Sequence, residues 1–412
     1  MVETKSNGNG ESMVHPAPSW LTESYVESIL RRYKQDVTLA VRDLDITPAT
    51  SKGENYASVM TRIKVEYVCV KTTYENDPFI SNVLATYNTS ITEMIMYDKI
   101  LPELSRMLED TDQSEKLFAK TLHVDDEHSA IIFEDLSVSN YVLGDRLTGF
   151  DLELTKLVLR KLAKMHATAA VYNELQPGFL TKLQHGIFNR HSRAFAPMFE
   201  NLIGVAAQFA GQCPELGSVY EKKLKRLQKH VMEYTEMVYD PKPDEFNTLT
   251  HGDLWTNNIM LRPKTDQNEV DLLLIDFQFS AWASPAVDFY YFFSTSLQSQ
   301  VRIDHHDALI QFYHRVLVDT LHILNFKGYI PTLRQLVLQL ERGKFMAVTA
   351  LLTCQAIMVN DNTDDADFNA LMVDNERGRN FRRRMYNNKR IQEHVKHWLP
   401  VFDRCGLLDV LN

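Results

Sequence analysis

Cysteine is scarce: four in 412 residues, at Cys69, Cys213, Cys354 and Cys405, with no C-x-x-C pair among them. That spacing excludes a disulfide framework and a structural zinc module, and a reduced, cytoplasmic protein is expected. Long apolar runs are missing as well, so no membrane span is expected. The first 18 residues are polar and rich in Gly, Ser and Asn. They lack the apolar centre of a signal peptide and are expected to form a disordered tail. Positive charge is in deficit, with 44 Lys and Arg against 54 Asp and Glu and a net charge of -10. General binding to nucleic acid or an anionic membrane is therefore excluded. Metal-ligand clusters are also wanting. His305-His306 has no further ligand nearby, and the acidic stretch Asp361 to Asp367 reads as a solvated loop. What remains is an ordinary globular composition, 44% hydrophobic and 24% charged, long enough for one two-lobed domain or two smaller ones.

The richest stretch is Thr250-His251-Gly252-Asp253-Leu254-Trp255-Thr256-Asn257-Asn258. It is followed by the apolar run Leu272 to Ile275, which ends in Asp276-Phe277. H-G-D-x-x-x-x-N, an apolar strand and then Asp supply the groups that phosphoryl transfer needs. Asp253 would receive the proton of an attacking hydroxyl, and Asn258 and Asp276 would hold Mg²⁺ against ATP phosphates. Gly252 stands where protein kinases have Arg. A polar turn between two strands is the competing explanation, but order, spacing and strand context all agree with the chemical one.

Upstream, Ser19 to Lys34 has a helical period, with Thr22 or Ser24 placed to cap it. Thr38 to Ile46 reads as a strand, Pro48 and Gly53 mark a turn, and Val59 to Lys71 alternates as a half-buried strand does. Strand, glycine turn and lysine-ending strand is the layout of a nucleotide-covering loop. Gly53 alone is far from G-x-G-x-x-G, however, and a plain hairpin turn competes. Ser58 is small enough for backbone N–H groups to approach phosphates. Lys71 is either a strand-end lysine or the lysine that holds the α/β phosphates. Glu93, on a helix expected over Ile91 to Met107, is either a solvated carboxylate or the partner that aims Lys71. Leu117 to Leu122 reads as a strand. Ser129 to Leu136 is an apolar strand breaking into acid, where Glu134 and Leu136 offer backbone groups to an adenine edge. Asp151 to Tyr172 is an amphipathic helix in which His166 packs in the core. Leu202 to Met237 and Ala308 to Leu352 are helical. Lys222 to Lys229 and the basic segment Arg377 to Arg390 read as solvated faces. Asp288, heading an aromatic helix, suits capping or loop anchoring better than chemistry.

Taken in order, these motifs resemble the small-molecule kinases of protein-kinase-like fold, such as aminoglycoside and choline phosphotransferases. They are most similar to the insect ecdysteroid kinase-like family, also described as CHK kinase-like. The resemblance is carried by Gly53 to Ser58, Val70-Lys71-Thr72, Glu93 with Met96-Tyr97, and Phe133 to Leu136. It continues through His166-Ala167, His251 to Asn258, Ile275 to Gln278 and Ser284 to Asp288. The resemblance implies an α+β, bilobal protein-kinase-like fold with an antiparallel N-lobe sheet plus helix and a large, mainly helical C-lobe. It divides the chain into the tail 1–18, an N-terminal helix and N-lobe over 19–135, and a C-lobe over 136–412. It also implies ATP and Mg²⁺ as cofactors, and a monomer that phosphorylates a hydroxyl of an ecdysteroid or a xenobiotic alcohol. The rivals are a catalytically weak pseudokinase that binds a ligand or partner, and a choline- or aminosugar-type kinase. One departure bears on activity. The family usually spaces the loop strand and the lysine strand more widely, and Val59 to Lys71 holds no Gly, Pro or Asn to turn a hairpin. Either two very short strands fit there, or the lobe is remodelled and Lys71 misses the phosphates.

Overall fold

The computed structural model describes residues 18–41, 44–49, 58–64, 68–72, 78–112, 114–266, 269–361 and 368–411. Gly53, the expected tail up to residue 17, and 362–367 of the acidic stretch lie outside the described residues.

Helix α1 (Glu23–Lys34) starts where Thr22 accepts the Tyr25 N–H, one of the two caps expected, and buries Val26, Ile29 and Leu30. Strands β1 (Asp45–Pro48), β2 (Val59–Lys64) and β3 (Val68–Thr72) follow. The single strand expected over Val59 to Lys71 is thus a hairpin of two short strands, paired from Val59↔Thr72 to Ile63↔Val68. The strand expected over Thr38 to Ile46 is also displaced, since regular pairing begins only at Asp45. Two helices, α2 (Pro78–Ala85) and α3 (Thr89–Ile95), run into a π turn at Met96–Ile100 and then α4 (Leu101–Glu109). Strands β4 (Thr121–Asp125) and β5 (Ala130–Glu134) complete a five-stranded antiparallel sheet of order β1-β2-β3-β5-β4. The expected strand at Leu117 to Leu122 lies mostly ahead of β4; Phe118 instead bridges to Leu274.

Strand parity sorts this sheet into two faces. Ile63, Val70 and Ile132 turn to the side covered by α1 and form a small core with Leu30 and Ala130. Their neighbours Cys69, Lys71, Ile131 and Phe133 turn the other way, toward α3 and the rest of the molecule. One parity choice in β3 therefore buries Val70 under a helix and sends Lys71 into the interior.

Beyond β5, Asp135 caps a 3₁₀ turn over Leu136–Ser139 by accepting the Ser137 N–H at 3.0 Å and the Ser137 hydroxyl at 2.7 Å. Strand β6 (Val142–Leu143) leads to the long helix α5 (Leu152–Leu175), capped by Asp151. The helical stretch expected over Leu202 to Met237 is three helices: α6 (Ala196–Gln212), α7 (Gly217–Leu227) and α8 (Val231–Tyr239). Short strands β7 (Thr248–Thr250), β8 (Ile259–Arg262), β9 (Asp271–Leu274) and β10 (Ala281–Ala283) form the sheets β6-β8-β9 and β7-β10. The chain then continues through α9 (Ala286–Thr295), α10 (Ser299–Asp304), α11 (His306–Ile323) and α12 (Leu333–Arg342). It closes with α13 (Phe345–Thr349), a π turn to Cys354, α14 (Gln355–Met358), α15 (Phe368–Met372), α16 (Glu376–Tyr386) and α17 (Lys389–Arg404). This is the two-lobed α+β protein-kinase-like arrangement, with the antiparallel sheet in the first lobe and helices dominating the second. A second, larger apolar core runs from α3 and β5 through α5, α6 and α9.

The basic segment Arg377 to Arg390 departs from a solvated face. Arg382 is buried, and its Nη1 donates to the carbonyls of Ala370, Leu371 and Val373, which end α15. A guanidinium with five donors serves there as a cap for several carbonyls at once.

Candidate functional site

The turn after β7 carries Asp253 and Asn258, and backbone geometry holds it in place. Gly252 has φ +82, and a Cβ there would sit 2.0 Å from the Phe279 carbonyl oxygen. An L side chain is excluded by both conformation and space, which is why the arginine of protein kinases has no counterpart here. The turn hangs from the buried Asp288 on α9. Asp288 accepts the His251 N–H at 2.7 Å and the Gly252 N–H at 2.8 Å. His166 supports the same carboxylate at 3.0 Å and meets the Tyr313 hydroxyl at 2.7 Å. His166 and Asp288 thus take the core-packing and loop-anchoring positions that the sequence suggests. His251 donates from Nε2 to the Ile275 carbonyl at 2.8 Å, which ties the turn to the end of β9. Burial depresses its pKa and favours this neutral, singly protonated ring.

Asn258 and Asp276 are brought together by one backbone bond, Ile275 N–H to Asn258 O at 3.0 Å. The Asn258 amide donates to the Asp253 carbonyl at 2.8 Å and to Asp253 Oδ2 at 3.1 Å. Asp276 has a left-handed backbone (φ 66), and its N–H donates to the Tyr97 hydroxyl at 3.3 Å. Lys71 reaches across from the sheet. Its ammonium lies 2.7 Å from Glu93 Oε1 and 2.7 Å from Asp276 Oδ1. Burial works against this ammonium, but Asp276 and Glu93 outweigh it and hold Lys71 above the ordinary lysine range. Burial pushes Glu93 upward, with Lys71 opposing. The compressed hairpin therefore does not displace Lys71.

These groups line a cleft of about 380 Å³ between the lobes. Met60 and Cys69 lie on the sheet side, Met260 and Ile275 on the opposite side, and Phe133 to Ser137 along one edge. Leu136 N–H donates to no group among the described residues, so it is open to an acceptor in the cleft. The Glu134 side chain is otherwise engaged, taking the Lys120 N–H at 2.7 Å and the Lys116 ammonium at 2.5 Å. Any ligand contact there falls to backbone. Arg62 on β2 bonds Asp135 at 2.8 Å over the cleft. Ser58 is buried on an adjoining recess of about 270 Å³ that shares Lys71 and Glu93 but not Asn258 or Asp276.

Asp253 opens onto a different recess, of about 140 Å³, whose wall also contains Asn258 and Asp276. Its other surroundings are mostly apolar or aromatic, including Phe195, Met198, Phe279, Phe368 and Leu371, with Gln278 as a polar exception. Enough protein surrounds Asp253 that burial pushes its carboxyl up to about 7, with Asp276 adding to the effect and Tyr291, Asn258 and Lys71 opposing it. Tyr97 belongs to a motif named from the sequence, whereas Phe279, Tyr291 and Cys354 are site neighbours that the sequence motifs did not single out. Only the aromatic density around α9 could have signalled one of them.

The donor set suits a hard cation. Asn258 turns its NH₂ to Asp253, and Asp276 gives one oxygen to Lys71. The amide oxygen of Asn258 and the second oxygen of Asp276 accept no hydrogen bond among the described residues. Those residues contain no group of three His, Cys, Asp or Glu able to hold a metal by themselves. Mg²⁺ needs no such group, because phosphate oxygens and water complete its shell.

The ecdysteroid kinase-like family model matches residues 52–326. No curated protein matches the chain. Among solved structures, a Plasmodium vivax ethanolamine kinase is 13% identical, with a TM-score of 0.44 over 93% of this chain and 90% of that one. A microcompartment-associated aminopropanol kinase is also 13% identical, with a TM-score of 0.41 over 93% and 99%. A spectinomycin phosphotransferase in complex with ADP and spectinomycin is 12% identical, with a TM-score of 0.40 over 92% and 98%. Because the family model covers well over half the sequence, this chain belongs to the ecdysteroid kinase-like family.

Proposed function

We propose that this protein is an ATP-dependent, Mg²⁺-requiring phosphotransferase whose acceptor is a hydroxyl of a lipophilic small molecule, an ecdysteroid or a xenobiotic alcohol. The observation that carries this reading is the position of Asp253. Its carboxylate opens into an apolar recess, while its partner Asn258 and neighbour Asp276 line both that recess and the cleft holding Lys71. An alcohol in the recess and a nucleotide in the cleft would meet across these three side chains.

In this account Lys71, aimed by Glu93, places its ammonium on the α/β phosphates. Leu136 offers its N–H to the adenine edge. Ser58, beside Lys71 on the adjoining recess, belongs to the stretch that covers the nucleotide. Asn258 and Asp276 hold Mg²⁺, which when bound would neutralise charge on the donor phosphates. Asp253 accepts or orients the acceptor hydroxyl proton. A carboxyl pushed to about 7 suits that task, since a base works best with a pKa near the working pH. The remaining gain comes from positioning and charge neutralisation, because the transferred group needs little covalent help.

The choline- and aminosugar-type reading calls for an acidic acceptor wall that pairs with a cation. Among the described residues, the carboxylates on this recess are Asp253 and Asp276, which the chemistry itself employs. The pseudokinase reading rested on a displaced Lys71, yet Lys71 is paired with Glu93 and Asp276. The test is incubation with γ-labelled ATP, Mg²⁺ and a panel of steroid, plant-derived and cationic alcohols. Label in an extractable phosphate ester of an apolar alcohol supports the proposal. Label on cationic alcohols alone, or on none, overturns it.

A further inference from the structure

Between α10 and α17, outside the linings of the cleft and of the Asp253 recess, a buried arginine has no counter-charge among the described residues. Arg302 is 3% exposed, yet its Nε and Nη1 have no hydrogen-bond partner, and its Nη2 reaches only the Leu297 carbonyl at 3.5 Å. The neighbouring charged and titratable groups are cationic or neutral. Arg390 approaches from α17 and binds the Arg146 and Leu147 carbonyls. His394, also on α17, donates from Nδ1 to Gln355 Oε1 at 2.9 Å and accepts the Ser299 hydroxyl on Nε2 at 2.5 Å. Trp398, one turn further along, places its ring 5.9 Å from the Arg302 guanidinium. Gln355 is fully buried, and its Nε2 also lacks a partner. Asp304 on the same helix is exposed and bonded by Gln300 at 2.7 Å. Asp145 faces Arg390.

Desolvation and the repulsion of Arg390 lower the Arg302 pKa to about 9. Desolvation, then Arg302 and Arg390, lowers His394 to about 3, so its ring is neutral. Buried donors are ordinarily satisfied, and a buried charge without a partner is among the costliest features a fold can keep. Two side chains with unmet N–H donors, within one cationic neighbourhood and with no carboxylate among the described residues facing them, describe the inside of an anion site.

We propose that the Arg302–Gln355–His394 cluster is a binding site for a small inorganic anion, a halide or a compact oxyanion, seated on the free guanidinium edge of Arg302. The site is independent of the phosphotransfer reading. Its location gives it a structural role: Arg390 holds the loop that follows β6, and β6 lines the nucleotide cleft, so an anion would brace that loop against α10 and α17.

Thermal unfolding of the full chain in sodium chloride, bromide, phosphate and gluconate at matched ionic strength tests this. A small anion should raise the midpoint over gluconate by about 2–4 °C once its concentration is ~100-fold above its dissociation constant. Arg302→Met should abolish the difference between salts while leaving catalytic groups untouched. Should that variant fail to fold, crystals of the wild-type protein soaked in bromide decide the matter. An anomalous peak within hydrogen-bond distance of Arg302 Nε or Nη1 supports the site. Equal midpoints in all four salts, or an ordered water at that position with no anomalous signal, overturns it.

Discussion

Asp253→Asn separates chemistry from stability. The amide matches the carboxylate in shape and can still accept from Asn258, which now donates at 3.1 Å. It cannot accept a proton, so turnover should fall by about 10²–10⁴ while nucleotide binding persists. Stability should move the other way. A carboxyl whose pKa rises from 3.8 to about 7 in the folded state keeps a proton that the unfolded chain has lost. Stability then declines as pH rises from about 4 to 7 and stays reduced above it. The shift corresponds to about 4 kcal/mol at most, and the opening of Asp253 to the recess reduces it to roughly 2–4 kcal/mol. At about 2.1 cal/mol/K of unfolding entropy per residue over 412 residues, each kcal/mol moves the midpoint by about 1 °C. The variant should therefore melt about 2–4 °C above wild type at pH 8 and together with it near pH 4. Calorimetry at the two pH values, with turnover measured alongside, checks both halves. A variant that melts lower at pH 8, or one that turns over at the wild-type rate, refutes the reasoning.

Lys71→Met leaves Glu93 and Asp276 without their shared cation, so it should destabilise the fold by about 3–5 kcal/mol and weaken nucleotide binding at least tenfold, read by calorimetric titration. Gly252→Ala places a methyl group against the Phe279 carbonyl at positive φ and should cost several kcal/mol, on the order of 2–4, with loss of activity; a wild-type midpoint contradicts the geometry. Phe368→Ala removes an aromatic wall from the 140 Å³ recess and should lower KM for bulky alcohols relative to compact ones, as steady-state kinetics would report. Chelation of Mg²⁺ should abolish most of the thermal shift that ATP produces, whereas an unchanged shift would leave Asn258 and Asp276 without their assigned task.

The turn from His251 to Asn258 was legible because its pattern is local: fixed spacing from His251 to Asn258 and an apolar strand before Asp276. Helix α5 was legible because a 3.6-residue period survives burial on several sides. The hairpin in Val59 to Lys71 was legible only as one of two alternatives, since alternation runs through a segment that carries no turn-forming residue. The acceptor recess was illegible for another reason. Phe195, Asp253, Phe279 and Phe368 come from four distant stretches, and only packing brings them together. Arg302 and Arg382 show the limit of reading charge as surface. Both are buried, one closing the end of a helix and the other without a counter-charge.

The central claim is that Asp253 acts from an apolar acceptor recess that Asn258 and Asp276 join to a nucleotide cleft. Its most direct test is the yield of ADP and phosphomonoester together, in the presence of ATP and an apolar alcohol. The account predicts that both products rise in equal amounts, require Mg²⁺, and vanish with Asp253→Asn. Tight binding of ATP with no alcohol-dependent ADP, or equal yields from wild type and Asp253→Asn, would contradict it.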